Sequence, residues 1–240
     1  MRRGVVIAVA LSVLVASAVS LAAGFSPHSG SSVSSSSVDD RIEINGSADD
    51  NDIDVSHLGG SRYRIEDRTG VTRLSGCEQV DPETVDCTND SLHPSIVYSA
   101  YGGNDGVDFS VSVPATITAE AGGSGSFGPR GDQRFEIAAG SPARARFSGH
   151  IGADTLIGGS DYDFLSGGRG ADRMIGRAGA DRLLGAQQAD TFIGGSGDDR
   201  IEAARNDRDR AIRCGPGDDV AIIDRDEDPK PTDCETVKVR

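Results

Sequence analysis

The chain of 240 residues has no tryptophan, two methionines and only eleven other large aromatic or phenolic rings, 7 Phe and 4 Tyr. A conventional globular core of this length carries more large apolar side chains, so a single thick core is excluded. Positive charge is also short: Lys and Arg number 24 against 38 Asp and Glu, for a formal net charge of -14. That balance argues against nucleic acid or an anionic membrane surface as partner and favours cations. No long helical period appears beyond the N-terminal apolar run, and Asn206, Asp207 and Asp209 interrupt the one later candidate. The four cysteines have no CxxC spacing, and His28, His57, His93 and His150 have no partner at ligand spacing. A zinc site is therefore not expected. Acidity with low hydrophobicity suits either disorder or a repeat whose core takes one apolar residue per turn.

What the chain does have is glycine, 32 residues of it, and a period of nine. From Gly149 the sequence divides into GHIGADTLI, GGSDYDFLS, GGRGADRMI, GRAGADRLL, GAQQADTFI and GGSGDDRIE. Aspartate recurs at Asp154, Asp163, Asp172, Asp181, Asp190 and Asp199, and an apolar residue follows two places later each time. Each block opens on glycine. Runs such as GGRGAD suit tight turns, where glycine accepts positive φ and lets carbonyls face inward. The three residues after each aspartate suit a short strand with its middle side chain inward. Two such blocks make one coil of two parallel sheets. The aspartates of alternate blocks then align: Asp154, Asp172 and Asp190 on one edge, Asp163, Asp181 and Asp199 on the other. Carboxylates about 4.8 Å apart repel unless a cation lies between them. Carboxylates and glycine carbonyls are hard oxygen donors, the kind Ca2+ prefers. The expected ligands are these six aspartates with the backbone of Gly152, Gly168, Gly170, Gly179, Gly195 and Gly197.

These blocks resemble the hemolysin-type calcium-binding repeat of the RTX family, GGxGxDxUx with U a large apolar residue. The resemblance implies an all-β fold, a parallel β-roll or β-solenoid, with calcium ions held at its turns. The flanks, GCEQVDPETVDC and CGPGDD, are similar to those of secreted bacterial calcium-binding repeat proteins of actinobacterial type. The blocks also depart from the pattern. His150, Arg177 and Ala186 replace the second glycine, and Asp161 and Gln188 replace the fourth. The turns best matched are those of Asp154, Asp172, Asp181 and Asp199.

The rest of the chain divides by composition. Residues 1–24 carry Arg2, Arg3 and an apolar run over 5–19, and read as a signal peptide. Residues 25–40 read as a serine-rich linker. Residues 41–148 read as a β-rich region that could be an eroded part of the same solenoid, with looser repeats over 46–55 and 102–111. Residues 203–240 read as a C-terminal cap closed by a disulfide. Export and four cysteines suggest two disulfides; of the three possible pairings, the local Cys77–Cys87 and Cys214–Cys234 are preferred.

The chain thus reads as a secreted, extracellular calcium-binding structural or interaction module, at the cell surface if the N-terminal segment is not cut. It is not expected to be an enzyme, although an exported β-helix acting on polysaccharide is the alternative. Its partners would be calcium ions and a cell-envelope component or protein. One further expectation concerns Ile157, Ile175 and Ile193. They would form an outward apolar ladder covered by the upstream region or a second molecule.

Overall fold

A computed structural model describes residues 31–36, 41–73, 75–121, 131–203, 208–224 and 228–240. The expected signal peptide, and the linker apart from 31–36, lie outside these residues. All the regular structure described is β: β1 (Ser31–Ser36), β2 (Arg41–Asn45), β3 (Asp52–Gly59), β4 (Arg62–Asp67), β5 (Val71–Arg73), β6 (Cys77–Asp81) and β7 (Thr84–Thr88) form the N-terminal part. There follow β8 (Ser95–Ala100), β9 (Gly106–Ser110), β10 (Thr116–Ala121), β11 (Arg134–Ile137), β12 (Arg144–Ile151) and β13 (Thr155–Ile157). The regular repeats hold β14 (Phe164–Arg169), β15 (Arg173–Ala178), β16 (Arg182–Gln187), β17 (Thr191–Ser196) and β18 (Arg200–Glu202). The chain ends with β19 (Ala211–Arg213), β20 (Val220–Ile223) and β21 (Thr236–Val239).

The strands lie in two sheets. One runs β21-β20-β18-β16-β14-β12-β10-β8-β2-β1-β5, the other β19-β17-β15-β13-β11-β9-β3-β4-β7-β6. From β8 to β20 the chain alternates between the sheets, and like strands pair in parallel, which is a β-solenoid. The all-β, parallel expectation holds. In the regular part Leu165, Leu183 and Ile201 stand in register on one sheet, and Leu156, Met174 and Phe192 on the other. Alternation sends these side chains inward, where all six are buried. The core is thus one large residue per strand. It thickens upstream, where Tyr98, Phe109, Phe135 and Phe147 pack edge-on or stacked at 5.7–6.0 Å.

The parallel ladders continue upstream of the strict blocks to β2 and β3, through Ile42↔Ile96↔Ile117↔Ala145 and Ile53↔Val107↔Phe135↔Leu156. Between β3 and β8 the chain leaves the coil and makes antiparallel pairs β3–β4, β4–β7 and β6–β7, with Cys77 bonded to Cys87 opposite it. At the other end Cys214 bonds Cys234. Both local pairings are present.

Two details differ from the sequence reading. Ser31–Ser36, in the stretch read as a linker, pair antiparallel with β2 and parallel with β5. Strand pairing uses the backbone alone, so serine content did not prevent it. The isoleucine ladder exists in register, but the upstream strands do not cover it. They extend the sheets along the axis, so its upstream neighbour is Glu136 and its downstream neighbour Arg213. Ile157, Ile175 and Ile193 are each partly buried.

Candidate metal centre

Where the chain turns from one sheet to the other, acidic side chains form two columns. Asp154, Asp172 and Asp190 precede β13, β15 and β17; Asp163, Asp181 and Asp199 precede β14, β16 and β18. All six are at most 1% exposed. Buried carboxylates demand partners. Each finds one in the coil before it, where Oδ1 accepts a backbone N–H. In the first column the donors are Gln133 to Asp154 (2.7 Å), Asp154 to Asp172 (2.8 Å) and Asp172 to Asp190 (2.8 Å). In the second they are Ala145 to Asp163 (2.6 Å), Asp163 to Asp181 and Asp181 to Asp199 (both 2.8 Å). The columns are therefore hydrogen-bond ladders that lace coil to coil.

One oxygen per carboxylate is then left over. The Oδ2 atoms of Asp154, Asp172, Asp181 and Asp199 are buried without a hydrogen-bond partner. These are the four whose turns keep the first and fourth glycines. Asp163 differs, since its Oδ2 takes the Gly159 N–H at 2.7 Å. Burial pushes the carboxyl groups of Asp154 and Asp163 up to about 7, Asp181 to about 8, and Asp172 and Asp199 to about 6. The N–H bonds oppose the rise, and neighbouring acids add to it, such as Asp163 and Asp199 around Asp181.

The glycines serve two separate needs. At the first position, as in Gly149, Gly167 and Gly176, an added Cβ would overlap the carboxylate of the same block's aspartate. These glycines make room and do not take positive φ. At the second and fourth positions the turns of successive coils stack, and Gly168, Gly170, Gly179, Gly195 and Gly197 take a left-handed conformation. Gly170 (φ 143°) would drive a Cβ into the carbonyl oxygen of Gly152, and Gly197 (φ 120°) into that of Gly179. Gly152 stacks likewise on Gly131, Gly168 on His150, Gly179 on Asp161 and Gly195 on Arg177. Each expected glycine ligand thus lies in a column of turn carbonyls beside a column of carboxylates.

Where the pattern lapses, the backbone keeps its shape. His150, Arg177, Ala186 and Gln188 hold φ of 66°, 79°, 113° and 75°. Arg177 has a compensation: its guanidinium reaches back to Glu136 and the Ile137 carbonyl, and bonds the Gly158 carbonyl at 3.1 Å. It straps three coils together. No side chain beyond a methyl group offsets the strain at Ala186. Ala186→Gly is expected to stabilise the protein by about 1 kcal/mol, a rise of roughly 2–4 °C in melting temperature. Calorimetry checks this, and an unchanged or lower midpoint contradicts the strain.

The sequence marked 46–55 and 102–111 as looser repeats but did not single out the outer rungs. The first column continues upstream to Gln133, Asp105 and Asn51, and downstream to Asp209 and Asp228. The second continues to Asp219 and Glu235. The available signal was the spacing to a following apolar residue, as in Asp105 to Val107 and Gln133 to Phe135.

The donors fit a hard cation. They are carboxylate oxygens left without partners, beside stacked carbonyls, with no nitrogen or sulfur ligand among them. No three His, Cys, Asp or Glu side chains converge among the described residues, so each rung brings single carboxylates and the backbone would complete a shell. The family model described as the RTX calcium-binding nonapeptide repeat (4 copies) matches residues 148–183 and 175–207. Residues 148–207 are thus similar to RTX calcium-binding repeats. No curated protein and no solved structure matches the chain.

Proposed function

We propose that this is a secreted calcium-binding β-solenoid, a structural or interaction module in which ion binding is coupled to folding of the repeats. The observation that carries the reading is the set of buried, partnerless Oδ2 atoms in columns of like charge. Asp154 with Asp172, and Asp181 with Asp199, would hold ions most firmly, with the turn backbones of Gly152, Gly168, Gly170, Gly179, Gly195 and Gly197. Asp163 and Asp190 would contribute less: the first already spends both oxygens on N–H groups, and the second follows the eroded turn GAQQAD. Calcium bound there supplies the positive charge that ionised neighbours lack, and its binding free energy becomes folding free energy. The two disulfides support an oxidising, extracellular setting. We read the module as non-enzymatic.

A calcium titration followed by circular dichroism and calorimetry tests the reading. Saturation is expected at roughly 10⁻⁴ to 10⁻³ M, as for extracellular modules, with a higher melting temperature and a much smaller effect of magnesium. A melting curve identical in chelator and in millimolar calcium would overturn it. A screen against acidic polysaccharides in calcium would reveal the alternative, a polysaccharide-active enzyme.

A further inference from the structure

We infer that the solenoid has two parts, one independent of calcium and one dependent on it, and that Gln133 and Ala145 form the seam between them. Upstream coils fold without the ion and present the edge on which the carboxylate rungs close when calcium arrives. The inference rests on the calcium reading above and concerns which residues end the ion ladder.

Upstream, the rungs change chemistry while keeping geometry. In the first column Asp105 has a buried Oδ2 without a hydrogen-bond partner, as the downstream acids do, but Asn51 and Gln133 flank it, so no two acids are consecutive there. Gln133 still accepts the N–H of Asp105, at 3.2 Å through Oε1. Its Nε2 then donates to the turn carbonyl of Gly103 at 2.9 Å. Gly103 belongs to the stacked turn column, since a Cβ on Gly131 would overlap its carbonyl and one on Gly152 would overlap that of Gly131. The amide nitrogen therefore bonds the kind of oxygen that a cation would bridge to a carboxylate. Asn51 Nδ2 is likewise satisfied, by Ser47 Oγ and Thr69 Oγ1 at 3.1 Å. In the second column the upstream positions are Ile42, Ile96, Ile117 and Ala145, all at most 1% exposed. They carry no charge at all.

Downstream the acids are consecutive: Asp154, Asp172, Asp190 in one column and Asp163, Asp181, Asp199, Asp219 in the other. The change occurs within one coil on both edges. Gln133 N–H is given to Asp154 and Ala145 N–H to Asp163, so the neutral residues are the donors to the first acid of each ladder. Upstream stability has other sources, the Tyr98–Phe135–Phe147 packing and the antiparallel strands stapled by Cys77–Cys87.

Amide hydrogen exchange read by mass spectrometry, on the full chain with disulfides intact, tests this. In calcium, both 41–147 and 149–203 are expected to be protected. In chelator, 149–203 should exchange faster by roughly 10-fold or more while 41–147 stays protected. Gln133→Glu would join Asp105 and Asp154 into one acidic run. In chelator it should extend the loss of protection into β9 and β11, and calcium should restore it. If 41–147 and 149–203 lose protection together in chelator, the two-part inference fails and the calcium reading stands. If Gln133→Glu leaves upstream exchange in chelator unchanged, Gln133 does not end the ladder. If no segment responds to calcium, the calcium reading itself fails.

Discussion

In calcium-stripped buffer the repeats are expected to melt at a higher temperature at pH 5 than at pH 8, and millimolar calcium should erase that difference. The sign follows from the direction of the shifts. Asp154, Asp163, Asp172, Asp181 and Asp199 are raised in the folded state from 3.8 to between about 6 and about 8. A raised group binds its proton more tightly folded than unfolded. Its contribution is whole below the unfolded value and is lost as pH climbs through the folded value. Each unit is worth about 1.4 kcal/mol, so ionising several such carboxylates approaches the whole stability of a domain, about 5–15 kcal/mol. Carboxyls shifted the other way exist: Asp86 beside Arg64, and Asp161 beside Arg144, are lowered and lose their contribution only in stronger acid. The window from pH 5 to 8 avoids them. Calcium binds the ionised form and so tightens as pH rises. It should raise the midpoint by tens of degrees at pH 8 and little at pH 5. Scanning calorimetry at four pH values, with and without calcium, decides it. A midpoint in stripped buffer that climbs from pH 5 to pH 8 would show that the buried carboxylates are not what limits the apo fold.

The coil was legible because its period is strict. Six aspartates and six apolar residues at fixed phase place Leu165, Leu183 and Ile201 in one column, and the structure pairs them so. The upstream coils were harder to read because their length varies: Ala119 pairs with Phe147, 28 positions on, whereas Phe147 pairs with Leu165, 18 positions on. A sheet tolerates long turns between strands, but a periodic search does not. The rung residues there were harder still. Glutamine and asparagine offer the same side-chain carbonyl as aspartate, so a pattern built on charge passes over Gln133 and Asn51. The first glycine of each block was legible as a requirement but for another reason. Its backbone is ordinary, and what it gives is room for a carboxylate. Arg177 shows the converse: a broken consensus position at which the side chain gained three partners in earlier coils.

The largest single-residue loss is expected from Gly170→Ala. The position combines a left-handed φ of 143° with a Cβ that would overlap the Gly152 carbonyl oxygen. The obstacle is backbone, which cannot rotate away, so the coils would have to separate at a turn whose Gly170 N–H bonds the Gln187 carbonyl at 3.1 Å. Strain alone costs about 1–3 kcal/mol, and the forced displacement should bring the loss to roughly 3–5 kcal/mol. Gly140→Ala isolates the strain: φ is 78° there, and no atom lies within 4 Å of the new Cβ. That variant should lose only about 1 kcal/mol. Gly167→Ala isolates the carboxylate, since its φ is not left-handed and its Cβ would meet the side chain of Asp172. The carboxylate would have to move, so this variant should lose most in calcium, where Asp172 is proposed to bind, and least in stripped buffer. Melting all three proteins in both conditions separates the roles. Equal losses for Gly170→Ala and Gly140→Ala would mean the turns do not stack carbonyl against Cα, and a calcium-independent loss in Gly167→Ala would mean the first glycine serves packing alone.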